Sequence, residues 1–97
     1  MKTLLVLTII ASFYHSKFEG RKTANGDIFS NNNLTAAYNH VPLGTYLKVI
    51  NIENNKSVIV QVNDKCGINN RIDLSQKAFK ELAPLTKGLI KVKIIKK

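Results

Sequence analysis

The sequence predicts an all-β fold with one short helix, its few strands closed into a small barrel. Three observations predict it. β-Branched residues alternate on both sides of Glu53-Asn54-Asn55-Lys56, with Leu47, Val49 and Ile52 before it and Val58, Val60 and Val62 after it, the pattern of a hairpin. Near the C-terminus Ile90, Val92 and Ile94 alternate with Lys91 and Lys93, a strand with one wet face. Helical spacing occurs once, from Ser75 to Ala83, and long Gly, Asn and Thr-rich stretches separate the periodic segments. Closure into a barrel lets a few short strands remove their exposed edges.

Taken in order, the chain opens with one lysine and the apolar run Thr3 to Ala11, too short to span a bilayer. Residues 1–10 therefore read either as an export signal or as a first strand, with a single barrel domain over residues 11–97. Ser12-Phe13-Tyr14 look like strand, and residues 15–45, with GRKTANG and SNNN inside them, read as one long ordered loop. Loops of that length in a compact domain usually carry function. In the helix, Ala78, Phe79, Leu82 and Ala83 share one face, Lys77, Lys80 and Glu81 the other, and Pro84 ends it.

A chain of 97 residues supports one modest core, so any active site lies on it. Fifteen Lys and Arg against six acidic residues give a net charge of +9, which favours polyanionic partners. No aromatic residues interleave with the lysines as stacking platforms, which argues against nucleic acid. The single cysteine, Cys66, excludes an internal disulfide, and no Cys/His cluster has zinc-ligand spacing. His15 and His40 have no Ser, Cys or carboxylate at motif spacing, so no hydrolase triad is expected.

With six carboxylates, each can be weighed. Glu53 falls in a turn, Glu81 on the wet helix face and Glu19 in the loop, where solvated charge is the default. Asp73 stands three residues before Gln76 in a capping-box arrangement, although Ser75 serves equally well as the cap, and Arg71 is placed to pair with Asp73. Asp64 follows the Val58-Val60-Val62 strand directly, and Gly67 permits a sharp turn beyond it. A rigid strand then delivers its carboxylate to a rim, where catalytic groups collect, though an Asx-turn fits the same residues. Asp27, in Asn25-Gly26-Asp27, has the same two readings. Cys66 reads as a small buried hydrophobe rather than an activated thiol.

The segments ASFYHSKFEGRKTANGDIF, LTAAYNHVPLGTYLKVINIENNKSVIVQVND and RIDLSQKAFKEL resemble, in order and spacing, the catalytic domain of rare lipoprotein A, a septal lytic transglycosylase. The resemblance implies a six-stranded double-psi β-barrel, a fold shared with expansins and barwin-like proteins. It also implies cleavage between N-acetylmuramic acid and N-acetylglucosamine in peptidoglycan, without water, leaving a 1,6-anhydro sugar. In such a reaction a carboxyl group protonates the leaving oxygen and a base helps the muramic 6-hydroxyl attack the anomeric carbon.

By position, Asp64 matches the family's essential aspartate and becomes the acid/base candidate. Asp27 stands where the family usually reads TANGE, and Tyr38 where it commonly reads AAH. An imidazole is thereby replaced with a phenol that carries no charge near neutral pH. Asp64-Lys65-Cys66-Gly67-Ile68 replaces the family's DRGPF. Matched to GRKTANG, Arg21, Thr23 and Asn25 would line the glycan groove, while Lys65 and Arg71 would meet muramyl carboxylates or peptide stems. The same five residues could instead order the loops.

The expectation is an exported, monomeric lytic transglycosylase of the periplasm or envelope. It would need no metal or cofactor, take glycan strands as partner, and lack a transmembrane span. Neither a lipobox cysteine nor a sporulation-related peptidoglycan-binding repeat is expected. The alternative is a non-catalytic, expansin-like module that binds wall glycan.

Overall fold

Alternation sets the strands, and their pairing closes a ring. The computed structural model describes residues 6–97, with β1 at Val6–Phe13, β2 at Thr35–Ala37, β3 at Tyr46–Asn51, β4 at Ser57–Asp64, β5 at Arg71–Leu74 and β6 at Ile90–Lys96. A helix, α1, spans Gln76–Leu82, and short 3-10 turns cover Ser16–Phe18 and Leu85–Lys87. The strands form a closed barrel in the order β1-β5-β2-β4-β3-β6. Two neighbouring pairs are parallel, β1 with β5 and β2 with β4, and the others are antiparallel. Parallel neighbours cannot be joined by a tight turn. β1 and β2, and likewise β4 and β5, follow one another in the chain but are not adjacent in the barrel, so the connections that lead into β2 and β5 cross the barrel ends.

Inward-facing residues fill the barrel. Leu47 and Val49 on β3, Val58, Val60 and Val62 on β4, Ile72 and Leu74 on β5, and Ile90, Val92 and Ile94 on β6 are all buried. Each such side chain contributes roughly 1.5–3 kcal/mol on leaving water. The apolar face of α1 (Ala78, Phe79 and Leu82) closes one end, with the Phe79 ring edge-on to Phe13 at 4.9 Å between centroids. Helix ends leave carbonyls without partners. Here the buried Asn51 and the neighbouring Asn54 each donate a side-chain N–H to the Leu82 carbonyl at 3.0 Å, which ties the β3–β4 turn to the helix. Asn55 turns that hairpin at φ 62°, a left-handed conformation that asparagine tolerates better than most residues.

Two readings of the sequence are corrected. The stretch over residues 15–45 is not one loop, because it contains a 3-10 turn and β2. A three-residue strand such as Thr-Ala-Ala has too little length for alternation to show, and it exists because β4 and β5 pair with it from either side. Asp73 does not cap the helix either. It lies within β5, and the cap is Ser75, whose hydroxyl accepts the Ala78 N–H at 3.2 Å and donates to the Asn33 carbonyl. As for residues 1–10, Val6–Ile10 fall in β1, and residues 1–5 lie outside the described part of the chain.

The Ser75 cap fastens the helix to the segment before β2. Ser75→Ala is expected to lower the unfolding free energy by about 1–2 kcal/mol, read from the urea midpoint, because the helix loses its cap and the Asn33 carbonyl loses its donor. An unchanged midpoint would return the capping role to Asp73.

Candidate active site

Strand pairing places four residues in one row across four strands. Ser12 of β1 lies opposite Asp73 of β5, Asp73 opposite Ala37 of β2, and Ala37 opposite Asp64 at the end of β4. Residues opposite one another across a sheet point to the same face. Neighbouring strands are about 4.8 Å apart, so the two aspartates stand about 10 Å apart at their backbones with a methyl group between them. The small, buried Ala37 forms a floor, and an open groove of about 500 Å³ runs over it. Tyr14, His15, Lys17, Lys65 and Arg71 complete its charged and polar lining.

Asp64 is held from three directions. The Tyr14 hydroxyl donates to its Oδ2 at 2.7 Å, and the Ala24 and Lys65 N–H groups both donate to its Oδ1 at 2.9 Å. The Lys65 bond is local, but it goes to the next residue rather than two residues on as in an Asx-turn. The other two come from sites 50 and 40 residues away, so the carboxylate also pins distant chain segments. It stays half-buried and keeps an open side toward the groove.

The partner Tyr14 is itself clamped. Its ring stacks on Phe29 at 4.1 Å and 22°, and Phe18 meets it edge-on at 5.8 Å. Lys17 and Arg21 lie over Phe18 at 5.4 and 5.5 Å, so Arg21 supports the aromatic layer behind the groove. Burial first, and then the hydrogen bond to Asp64, raise the Tyr14 phenol far above the ordinary tyrosine range. It therefore remains a proton donor to that carboxylate.

Asp73 accepts a hydrogen bond from the Ser12 hydroxyl and one from the Cys66 thiol at 3.6 Å. Cys66 is buried, and burial pushes its thiol up, away from a reactive thiolate. At the groove's edge His15 accepts the Lys17 N–H at its Nδ1 at 3.0 Å.

GRKTANG forms a small hairpin around the bridge between Lys22 and Ile28. The buried Thr23 donates to the Asn25 side-chain oxygen at 2.7 Å, and that oxygen also accepts the Asp27 N–H at 3.0 Å. Gly26, at φ 92°, makes the turn. Thr23 and Asn25 thus order the loop that carries Ala24 to Asp64.

Of the residues singled out in the sequence, the groove brings together Asp64, Lys65 and Arg71. Asp27 faces a separate cleft beyond the hairpin. Tyr38 lies apart as well: only its backbone N–H reaches Asp64, at the carbonyl, while its side chain packs in the barrel core and is 1% exposed. Asp73, Tyr14, Ser12 and His15 were missed as groove residues. The cap pattern masked Asp73, and Tyr14 read as one more strand aromatic.

A raised phenol makes stability depend on pH. The unfolded chain releases the Tyr14 proton near pH 10, whereas the folded protein retains it, so this contribution is complete below about pH 10 and is lost above it. Tyr38, also raised by burial, acts with the same sign. Urea midpoints should fall from about pH 9 to 11, and Tyr14→Phe should flatten part of that fall. Parallel profiles for the two proteins would contradict the assignment.

Comparison with known proteins agrees with this architecture. Residues 7–94 match the double-psi β-barrel family described as "Lytic transglycolase". The chain is 54% identical over 80 residues to "Endolytic peptidoglycan transglycosylase RlpA" of Rickettsia bellii, and 42% identical over 87 residues to the Haemophilus influenzae protein of that name. These matches cover 80% and 88% of this chain but 35% and 30% of those relatives, so the chain spans about a third of their length. Among solved structures, a Streptomyces papain inhibitor superposes with a TM-score of 0.78 at 27% identity, covering 94% of this chain and 93% of that one. A mutant Clavibacter michiganensis expansin in complex with cellohexaose gives 0.74 at 20% identity, over 96% of this chain and 50% of that one, a likeness of fold alone. By the extent of the family match, with six strands closing the same barrel, this chain belongs to the lytic transglycolase family of double-psi β-barrel domains.

Proposed function

We propose that this domain is an exported lytic transglycosylase of the periplasm or cell envelope. It would cleave peptidoglycan between N-acetylmuramic acid and N-acetylglucosamine and leave a 1,6-anhydro end. The names of the relatives support the reaction class, and the observation that carries it to this chain is Asp64, fixed by three hydrogen bonds yet open to a groove.

In the proposed reaction Asp64 acts twice. As an acid it passes a proton to the glycosidic oxygen while the bond from that oxygen to the muramic anomeric carbon breaks. As a base it then takes the proton of the muramic 6-hydroxyl, whose oxygen closes onto the same carbon, so no water is consumed. Positive charge develops at the anomeric carbon in between. Asp73, across the Ala37 floor, supplies a second negative charge facing it. Tyr14 and the Ala24 N–H hold Asp64 in place. Lys17, Lys65 and Arg71 give the groove positive charge for muramyl carboxylates and peptide stems.

One observation favours a second reading, a glycan-binding module without turnover. Tyr38 stands where the family commonly reads histidine, and its side chain lies in the core rather than beside Asp64. Such a module would bind sacculi through the same groove and release no product.

Mass spectrometry of a sacculus digest separates the two. Wild type should release anhydro-ended fragments, and Asp64→Asn should reduce release by at least about 100-fold with an unchanged circular dichroism spectrum. Intact sacculi after prolonged incubation with folded wild type would leave only the binding module. In a sedimentation assay, Lys65→Ala with Arg71→Ala should weaken attachment to sacculi several-fold at low salt, with the difference shrinking as salt screens the groove. Equal attachment at all salt concentrations would remove the charge-recognition role.

A further inference from the structure

The groove uses three of the fifteen cations, Lys17, Lys65 and Arg71. A second group of lysines lies on the outside of the barrel. In the ring order β1-β5-β2-β4-β3-β6, the neighbours β3 and β6 stand opposite β2 and β5, which carry Ala37 and Asp73 of the groove. Leu47 and Val49 of β3 and Val92 and Ile94 of β6 point into the core, so the residues between them face outward. Pairing then sets lysine against an apolar side chain row by row. Lys91 lies opposite Ile10, Lys93 opposite Ile50, and Lys48 opposite Ile95 on one side and Ile59 on the other. Lys91 and Lys93 are exposed, as are Ile59 (45%) and Tyr46 (52%), while Lys48, Ile50 and Ile95 are half-buried. Tyr46 ends the face beside Lys97, whose N–H donates to the Tyr46 carbonyl at 2.9 Å. Among the described residues of this face there is no carboxylate: Glu53 lies in the β3–β4 turn, and the other five acidic residues lie in loops, at the groove or on α1.

A partner for such a face must be anionic and must also accept alkyl groups between the charges. A soluble polyanion meets only the first condition, since it gains from cations and from stacking aromatics, and isoleucines between the lysines add nothing to it. An anionic bilayer surface meets both. Lysine heads reach the phosphates, while their stems and the isoleucines between them enter the boundary with the acyl chains. The pattern also extends over four strands in two dimensions, which suits a surface better than a thread.

We propose that the outward face of β3 and β6, with the adjoining rows of β1 and β4, docks on an anionic phospholipid surface. Because β2 and β5 lie across the ring, a domain seated this way turns its groove away from the lipid. The face is separate from Asp64, so lipid binding holds whether or not the groove turns over glycan.

The test is sedimentation of the full chain at low salt with vesicles of phosphatidylglycerol and phosphatidylcholine in equal parts, and with vesicles of phosphatidylcholine alone. Binding to heparin, a polyanion without an apolar phase, is measured in parallel. The chain should sediment with the mixed vesicles and stay in solution with the neutral ones. Lys91→Ala with Lys93→Ala should weaken partitioning about thirtyfold, from the attraction of each lysine to an anionic surface. Lys77→Ala with Lys80→Ala removes the same charge from the wet face of α1 and should change partitioning by about twofold at most. Ile59→Trp supplies the sole tryptophan, whose emission should shift to the blue with mixed vesicles and stay unshifted with heparin. All these positions are exposed, and matching circular dichroism spectra show that the fold is kept. Failure to sediment with mixed vesicles, equal sedimentation with neutral ones, equal losses in the two lysine pairs, or unshifted emission on bound vesicles would each overturn the docking face. Tight heparin binding together with any of these would make the lysines a polyanion site instead.

Discussion

Pairing along both edges of a three-residue strand, parallel to β4 and antiparallel to β5, is the constraint on which the candidate active site depends. β2 is held by β5 on one edge and by β4 on the other, and Ala37 lies between Asp73 and Asp64 because both registers meet at it. The ladder shifts between Ala36 and Ala37, an irregularity that brings the end of β4 into the row. Any larger side chain at position 37 would rise between the two carboxylates and fill the groove. The barrel therefore sets a spacing between acidic groups that no local turn could hold.

The same strand end organises what surrounds it. Asp64 links β4, the residue after β1 and the hairpin loop through its side chain, while the backbone of Asn63 receives the next residue of that loop. These bonds span long sequence separations, so each closes a long loop at an entropic cost that the assembled barrel must offset. Tyr14 carries much of this load. Its ring is fixed by Phe29 and Phe18, and its buried phenol keeps the proton with which it holds Asp64. A carboxylate positioned by a rigid aromatic layer is preorganised, which is what a proton-transferring group requires.

Charge is distributed to match. The groove collects Lys17, Lys65 and Arg71 around two aspartates, whereas the cleft beyond the hairpin has one carboxylate and no cation. On the proposed function, the broad excess of positive charge attracts the wall polymer.

Some of this was written plainly in the chain. The β3–β4 hairpin, β6 and α1 follow from local periodicity, because alternation and the 3.6-residue repeat are properties of neighbours in sequence. Asp64 stood out for the same reason, as a carboxylate at the end of an unmistakable strand, and the motifs from GRKTANG to IDLS carried the family. β2 was too short to alternate, and β5, although Ile72 and Leu74 alternate with Arg71 and Asp73, spans only four residues directly before the helix, so neither was legible. With β5 hidden, Asp73 read as a helix cap, and with the loops unplaced, Tyr14 had no visible link to Asp64 while Tyr38 and Asp27 had no visible distance from it. Sequence alone thus determined the β3–β4 hairpin, β6, the helix and which residue types could do chemistry. Only tertiary structure decided which of them share a groove, since that depends on register across strands that lie far apart along the chain.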